Sequence, residues 1–150
     1  MSNDTMTQPT TPPSEPHPSL RQLDALVGTW QVAGPEVSGQ VSFRWLDGGF
    51  FLAQDVDMVQ GGATIKGLEI IGHDEESDAL ASHYFDDAGN HLTYTWELEG
   101  DRLTIWFGPA GSAGVFRGTF AEDRNSLSGA WTWPGGGYES TMTRVADGPA

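Results

Sequence analysis

The sequence predicts an all-β fold: a single antiparallel up-and-down barrel of about ten strands, preceded by a short helix. Bulky and polar residues alternate in short segments from 28 to 145, as they do from Leu92 to Leu98. Successive side chains of a strand point to opposite faces, so this period of two gives each strand one apolar face. Turn residues recur about every ten positions, and none of the gaps holds a crossover helix, so neighbouring strands should pair antiparallel. A small sheet of this kind hides its edges by closing.

The chain is expected to be one domain with a tail at each end. Residues 1–18 are rich in Thr, Pro, Ser and Gln. They contain too few apolar side chains to offset the entropy of an ordered chain, so we expect a disordered tail. The barrel domain should cover residues 19–146, and residues 147–150 should form a second, shorter tail.

A short helix is expected at the start of the domain. Ser19 is a suitable N-cap, and the helix should reach about Leu26 before Gly28 ends it. Such a helix can cover one end of a barrel. Its apolar side chains recur at helical spacing: Leu20, Leu23, Leu26 and Val27.

Ten strands follow the helix. Glycine and Asp-Gly turns separate them, because tight hairpins need the positive φ that glycine adopts easily. The expected strand centres are Trp30, Phe43, Ala53, Ile65, Ala81, Thr95, Ile105, Arg117, Ala130 and Thr141.

Alternation also assigns the side chains that face inward. The strand around Ile65 is not assigned, because Ile70 and Ile71 are both apolar, and this two-sided strand favours a homodimer contact. A barrel of this size is either filled by side chains or holds one small ligand. Inward-facing residues expected to line a ligand cavity are Trp45, Gln54, Tyr94, Trp96, Trp131, Trp133, Tyr138 and Met142.

Two hairpin registers are open for His83 and Tyr84. If Gly89 is left-handed in a three-residue loop, Asp86 pairs with Asn90 and Tyr84 points inward. A four-residue loop shifts the register by one residue and turns His83 inward instead. Histidine titrates near neutrality and a buried tyrosine can polarise a carbonyl, so either residue is a candidate catalytic acid or base.

Charge and composition exclude several classes of partner. The chain has 21 acidic and seven basic residues, a net charge of −14, and no cysteine. This charge repels phosphate backbones and anionic lipids, so neither nucleic acid nor a membrane is an expected partner. The absence of cysteine fits a reducing compartment, and no signal peptide or membrane span is recognisable, so we expect a cytoplasmic protein.

Four separated segments resemble a family of bacterial lipocalin-like domains of unknown function, part of the calycin superfamily. They are residues 26–30, 67–74, 82–86 and 116–120. The resemblance covers roughly residues 20–146 and implies a small antiparallel barrel with an interior cavity. It implies no reaction, because that family has no generally assigned activity.

The nitrobindins, which are related haem-binding barrels, carry a histidine ligand near the C-terminus. The last strand here, from Tyr138 to Val145, has no histidine. Methionine and tyrosine ligate haem in some proteins, but Met142 and Tyr138 do not match the nitrobindin pattern. No cofactor is therefore expected, and haem binding is kept as an alternative.

The first functional hypothesis is a binding protein whose cavity holds a small apolar or aromatic molecule. The alternative is an enzyme (an isomerase, cyclase or hydrolase) that uses His83 or Tyr84 in the same cavity. No nucleophile elbow, phosphate-binding loop or paired carboxylates are recognisable. The acidic turns lack the ligand spacing of zinc or calcium sites, so no metal is expected.

Overall fold

The computed structural model describes residues 14–145, and these form the predicted closed antiparallel barrel. Each strand pairs with the next along the chain, and the last strand pairs with the first, so the sheet closes on itself. The ten strands are β1 (Gly28–Ala33), β2 (Val37–Trp45), β3 (Leu52–Gln60), β4 (Ala63–Asp74), β5 (Ala79–Asp86), β6 (His91–Glu99), β7 (Arg102–Phe107), β8 (Val115–Phe120), β9 (Ser126–Trp133) and β10 (Gly136–Arg144).

A 3₁₀ helix (Pro18–Leu26) precedes the barrel. Its N-cap is His17, whose ring Nδ1 accepts a hydrogen bond from the Ser19 backbone N–H at 3.1 Å. The prediction of Ser19 as the cap is wrong, because Pro18 already takes the first helical position, where its missing N–H costs nothing. The apolar side of the helix is buried against the barrel: Leu20, Leu23 and Leu26.

The expected disordered tails lie mostly outside the described residues, which exclude 1–13 and 146–150. Within the described part, the His17 ring stacks on the ring of His73 in β4, with centroids 3.7 Å apart. The Nε2 of His73 lies 2.9 Å from a carboxylate oxygen of Asp78. The stacking of His17 on His73 connects the start of the helix to β4.

The helix covers the end of the barrel where β1 begins and β10 ends, which we call the closed end. Trp30 is fully buried there, and its indole N–H donates to the Leu26 carbonyl at 2.8 Å. The Arg144 guanidinium lies 4.3 Å from the centre of the Trp30 ring. It also donates to the carbonyls of Ala25 and Val27. These contacts join the first strand, the last strand and the helix.

The alternation of buried and exposed residues resolves the strand that the sequence left unassigned. Within β4, Glu69 and Ile71 are buried inside the barrel, whereas Leu68 is on the outer face. Leu68 pairs with Phe85, which is also exposed. The homodimer expected at this strand stays a prediction.

Among the described residues, no helix is long and apolar enough to cross a membrane.

Candidate functional site

The barrel encloses a cavity of about 630 Å³. It runs from Leu26 of the helix toward the opposite end of the barrel, which we call the open end. A volume of this size is within the range of small-molecule sites. At the open end, the cavity is bordered by residues at or near the ends of the strands: Val37, Gln60, Asp86, Asn90, Phe107, Gly114 and Trp133.

Most of the predicted lining residues do line this cavity. Trp45 does not, because its indole N–H donates to Asp24 of the helix at 2.8 Å, at the closed end. Alternation gives the face of a residue but not its height along the barrel, and Trp45 is the last residue of its strand. The predicted residues that border the cavity are Gln54, Tyr84, Tyr94, Trp96, Trp131, Trp133, Tyr138 and Met142.

The β5–β6 hairpin adopts the first of the two registers. Gly89 has φ of 90°, and the Asp86 backbone N–H donates to the Asn90 carbonyl at 3.1 Å. Tyr84 therefore pairs with Leu92 and points into the cavity. His83 is exposed on the outer face and cannot reach the cavity.

The outer position of His83 places it in a small surface cluster. Its Nδ1 lies 3.1 Å from the Nε2 of His91. The His91 ring in turn stacks on Phe85, with centroids 4.6 Å apart. These three side chains contact one another on the outside of the barrel, separated from the cavity by the sheet.

Aromatic rings form a continuous part of the cavity wall. Phe107 at the open end contacts Tyr94, with ring centroids 5.3 Å apart, and Tyr94 contacts Trp131 at 5.9 Å. Trp131 contacts Phe116, which is buried, at 5.7 Å. The rings are tilted to one another, an arrangement that aromatic pairs prefer. Three tryptophans of six line the cavity: Trp96, Trp131 and Trp133.

A buried carboxyl group interrupts this apolar wall. Glu69 is 7% exposed, and its side chain lies between β3 and β5. The amide of Gln54 donates to Oε1 at 2.8 Å, and the hydroxyl of Ser82 donates to Oε2 at 2.5 Å. The indole N–H of Trp96 donates to the Ser82 oxygen at 2.9 Å. Four adjacent strands therefore contribute to one hydrogen-bond network, which we call the Glu69 network.

The strand register explains how this network forms. Gln54 is directly opposite Glu69 in the β3–β4 pair. Ser82 is opposite Ile71, two residues beyond Glu69 on the same inward face. Side chains at such diagonal positions are within reach of one another. The backbone pairing alone thus brings the three polar groups together.

Burial raises the pKa of Glu69 from 4.5 to about 7, because removal from water disfavours the charged form. The hydrogen bond from Ser82 and the nearby indole N–H of Trp96 act in the opposite direction but are weaker. Among the described residues, no cationic side chain forms an ion pair with Glu69. Near neutral pH this group therefore exists in both protonation states.

Sequence reasoning missed Glu69 and Ser82. Glu69 lies in one of the segments that carry the family resemblance, and the two-sided apolarity of β4 hides the inward face of that strand. A signal was present, because Ile65 and Ile71 have the same parity as Glu69. Counting in twos from either residue places the carboxyl group inside.

Tyr84 lines the same cavity, and its hydroxyl oxygen is buried without a hydrogen-bond partner among the described residues. Burial, followed by the nearby charge of Asp86, raises the pKa of Tyr84 to about 12, so the phenol stays neutral. A side chain on Gly67 would approach the Tyr84 ring and hydroxyl to 2.7 Å, so glycine there leaves room for the phenol.

The open end carries a second carboxyl group and two exposed rings. Asp86 accepts hydrogen bonds from the backbone and side-chain amides of Asn90, which lower its pKa. Phe107 and Trp133 are 49% and 43% exposed. Within the described chain, the cavity lining contains Glu69 and Asp86 but no lysine, arginine or histidine.

The cavity residues do not fit haem. The described lining has no histidine, and it offers no basic side chain that would pair with haem propionates. Met142 and Tyr138 line the cavity, but neither matches the histidine ligand of the nitrobindin pattern.

A group of possible metal ligands does exist at the closed end, which the sequence did not predict. One ligand atom each of His17, His73 and Asp78 lies within 4.8 Å of the others. The two imidazoles are parallel to within 7°, so their nitrogen lone pairs point side by side rather than toward one ion. We therefore assign these residues the structural role of joining the helix to β4.

No model of a known protein family matches the chain, and no curated protein matches it. The ten-stranded antiparallel barrel is consistent with a calycin-like fold. Membership of the bacterial lipocalin-like family stays a prediction from the motifs.

Proposed function

We propose that this protein is a cytoplasmic binding protein that holds one small apolar or aromatic molecule in the barrel. The observation that carries the proposal is the cavity of about 630 Å³ between Leu26 and the open end. Its wall is largely apolar and aromatic, with a few polar groups at fixed positions. Apolar walls supply affinity and isolated polar groups supply orientation, which is the usual composition of small-molecule sites.

Isothermal titration with 1-naphthalenemethanol, a neutral aromatic probe, tests this proposal. We expect saturable binding of one molecule per chain, and native mass spectrometry should detect the same stoichiometry. Failure of this probe and of a panel of other apolar molecules to bind saturably would contradict the proposal.

A pair of variants on β10 places the binding site. Ser140 lines the cavity, whereas its neighbour Thr141 is exposed on the outer face. Ser140→Trp should fill part of the cavity and abolish binding of the probe, because a bound molecule and the new indole would compete for one space. Thr141→Trp should leave binding unchanged. Equal effects of the two substitutions would place the site outside the barrel.

Acid–base catalysis in the same cavity is a second candidate, and the raised pKa of Glu69 favours it. A carboxylate with a pKa near the working pH is suited to accept a proton from carbon. Tyr84 lines the same cavity as a neutral phenol. His83 has no part in this candidate mechanism because of its position on the outer face.

The Kemp elimination of 5-nitrobenzisoxazole tests this second candidate. A base removes the ring C–H proton, the N–O bond breaks, and a coloured cyanophenolate forms. We expect a rate that rises with pH through about 7, is lost in Glu69→Gln and is retained in His83→Ala. A rate no greater than that of acetate at equal concentration would exclude Glu69 as an active base.

A further inference from the structure

We propose that the ligand is a lipophilic amine: a protonated primary or secondary ammonium group attached to an apolar or aromatic body. In this proposal the ammonium group donates to the carboxylate of Glu69, and the body lies against the aromatic wall. The inference rests on the proposed function, because it names the chemical class of the molecule that the cavity holds.

The first argument is the missing counter-charge of Glu69. A buried ionised carboxylate is normally paired with a cation, because desolvation of an isolated charge is costly. All seven lysine and arginine residues fall within the described chain, and none of them pairs with Glu69 or lines the cavity. A ligand ammonium group would supply the cation that the protein does not.

The second argument is the free hydrogen-bonding capacity of the Glu69 network. Each carboxylate oxygen accepts one bond from the protein, from Gln54 or from Ser82. An ionised carboxylate has about four acceptor positions, so about two remain. An ammonium group has two or three N–H donors and no acceptor, which matches a carboxylate that needs donors.

The third argument is the aromatic surrounding. Trp96 is part of the Glu69 network, and Tyr94 belongs to the continuous row of rings from Phe107 to Phe116. A cation over the face of such rings is attracted by their quadrupole. The same rings give the apolar body of the ligand its contact surface.

The fourth argument is the field of the whole molecule. Asp86 borders the open end, and the net charge of the chain is −14. A cavity lined by one sign of charge attracts ligands of the opposite sign and repels those of its own. The field thus favours an amine over a carboxylic acid of the same shape.

Binding would change the protonation of one group. The titratable side chains that face Glu69 from β5 and β6 are Tyr84, Tyr94 and, toward the open end, Asp86. Both tyrosines stay neutral because burial raises their pKa values, and Asp86 stays ionised. Arrival of an ammonium group therefore stabilises the ionised form of Glu69 and releases its proton to solvent.

Three probes on one ring system test the proposal by isothermal titration at pH 7: 1-naphthylmethylamine, 1-naphthalenemethanol and 1-naphthoate. We expect the amine to bind about tenfold more tightly than the alcohol, and the anion to bind most weakly. Equal or weaker binding of the amine would overturn the inference. If the alcohol still binds, the proposed function stands; if no probe binds, both are wrong.

Two variants separate the local contact from the general charge. Glu69→Gln should lower the affinity for the amine about tenfold and leave the alcohol nearly unchanged. Asp57→Asn removes a charge from the exposed outer face of β3 and should change neither. Equal losses in the two variants would mean that only net charge matters, which contradicts a contact with Glu69.

The unmodified chain gives a measurement that needs no variant. Since the pKa of Glu69 is about 7, lowering the pH from 8 to 5.5 should weaken amine binding about tenfold, to the affinity of Glu69→Gln. The affinity for the alcohol should not change over this range. An amine affinity independent of pH would overturn the inference.

Discussion

At the scale of single residues, Glu69 is unusual because its ionisable carboxyl group is buried away from water. Its two oxygens are hydrogen-bonded to Gln54 and Ser82, yet no described cation balances its charge. Hydrogen bonds lower the cost of ionisation without removing it, so burial dominates and the pKa rises to about 7. The neutral and charged forms are therefore close in free energy at physiological pH.

This pKa predicts how stability depends on pH. The unfolded chain releases the Glu69 proton near pH 4.5 and the folded chain releases it near pH 7. Protonated Glu69 therefore stabilises the folded state at low pH, and this stabilisation is lost as the pH rises from 4.5 to 7. Relative to Glu69→Gln, the free energy of unfolding of the unmodified protein should fall by about 3 kcal/mol between these pH values. Urea unfolding at a series of pH values measures this difference.

Asp57→Asn on the outer face is the control for this series. Its unfolding curve should follow that of the unmodified protein at each pH, because the side chain is exposed on the outer face and substitutions there change stability little. Parallel pH profiles for Glu69→Gln and the unmodified protein would show that Glu69 titrates normally.

Residue-level prediction from the sequence succeeded where one face was clearly apolar. Tyr94, Trp96 and Met142 each alternate with polar neighbours, and each lines the cavity. It failed at Trp45, because height along the barrel depends on strand tilt and on the helix rather than on parity. It missed Glu69, because a charged residue between apolar neighbours is ordinarily assigned to the surface.

At the scale of elements, one glycine decides the register of the β5–β6 hairpin. Gly89 has φ of 90°, which a residue with a Cβ adopts only with strain. The register that follows turns Tyr84 inward and His83 outward. The sequence alone leaves both registers open, because the apolar residues Ala81 and Phe85 share the parity of His83 and favour the other register.

Substitutions at Gly89 measure this requirement. Gly89→Ala should lower the free energy of unfolding by about 1 kcal/mol, and Gly89→Asn by less, because asparagine tolerates positive φ better than alanine. Nothing lies within 4 Å of a side chain added there, so the effect is conformational rather than steric. Thermal unfolding of both variants measures it. Equal stability of all three proteins would contradict the hairpin assignment.

The closed end depends on Arg144 in a similar way. Its guanidinium lies over Trp30 and donates to two carbonyls of the helix and its C-cap. Arg144→Gln should therefore lower the free energy of unfolding by about 2–3 kcal/mol, from lost charged hydrogen bonds and the lost cation–π contact. Arg117→Gln, on the exposed outer face of β8, should change it by less than about 0.5 kcal/mol. Similar losses in the two variants would contradict this role of Arg144.

At the scale of the whole molecule, the chain is a barrel with one covered end and one open end. The helix and the pair of Trp30 and Arg144 cover the closed end, and the cavity reaches the other. The number and direction of the strands follow from alternation and turn residues, which are local features of the sequence. Whether the interior is filled or open is not local, because it depends on how all inward side chains share the space of a closed ten-strand sheet.

The central claim is that a small molecule occupies this interior. Both methionine side chains in the described chain, Met58 and Met142, line the cavity from different strands, so their methyl groups report directly on its contents. In a methyl NMR titration with 1-naphthalenemethanol, we expect saturable shifts of both methyl signals and intermolecular NOEs from the naphthyl ring to each. Signals that stay unchanged at saturating probe, with shifts confined to the outer face of the barrel, would contradict it.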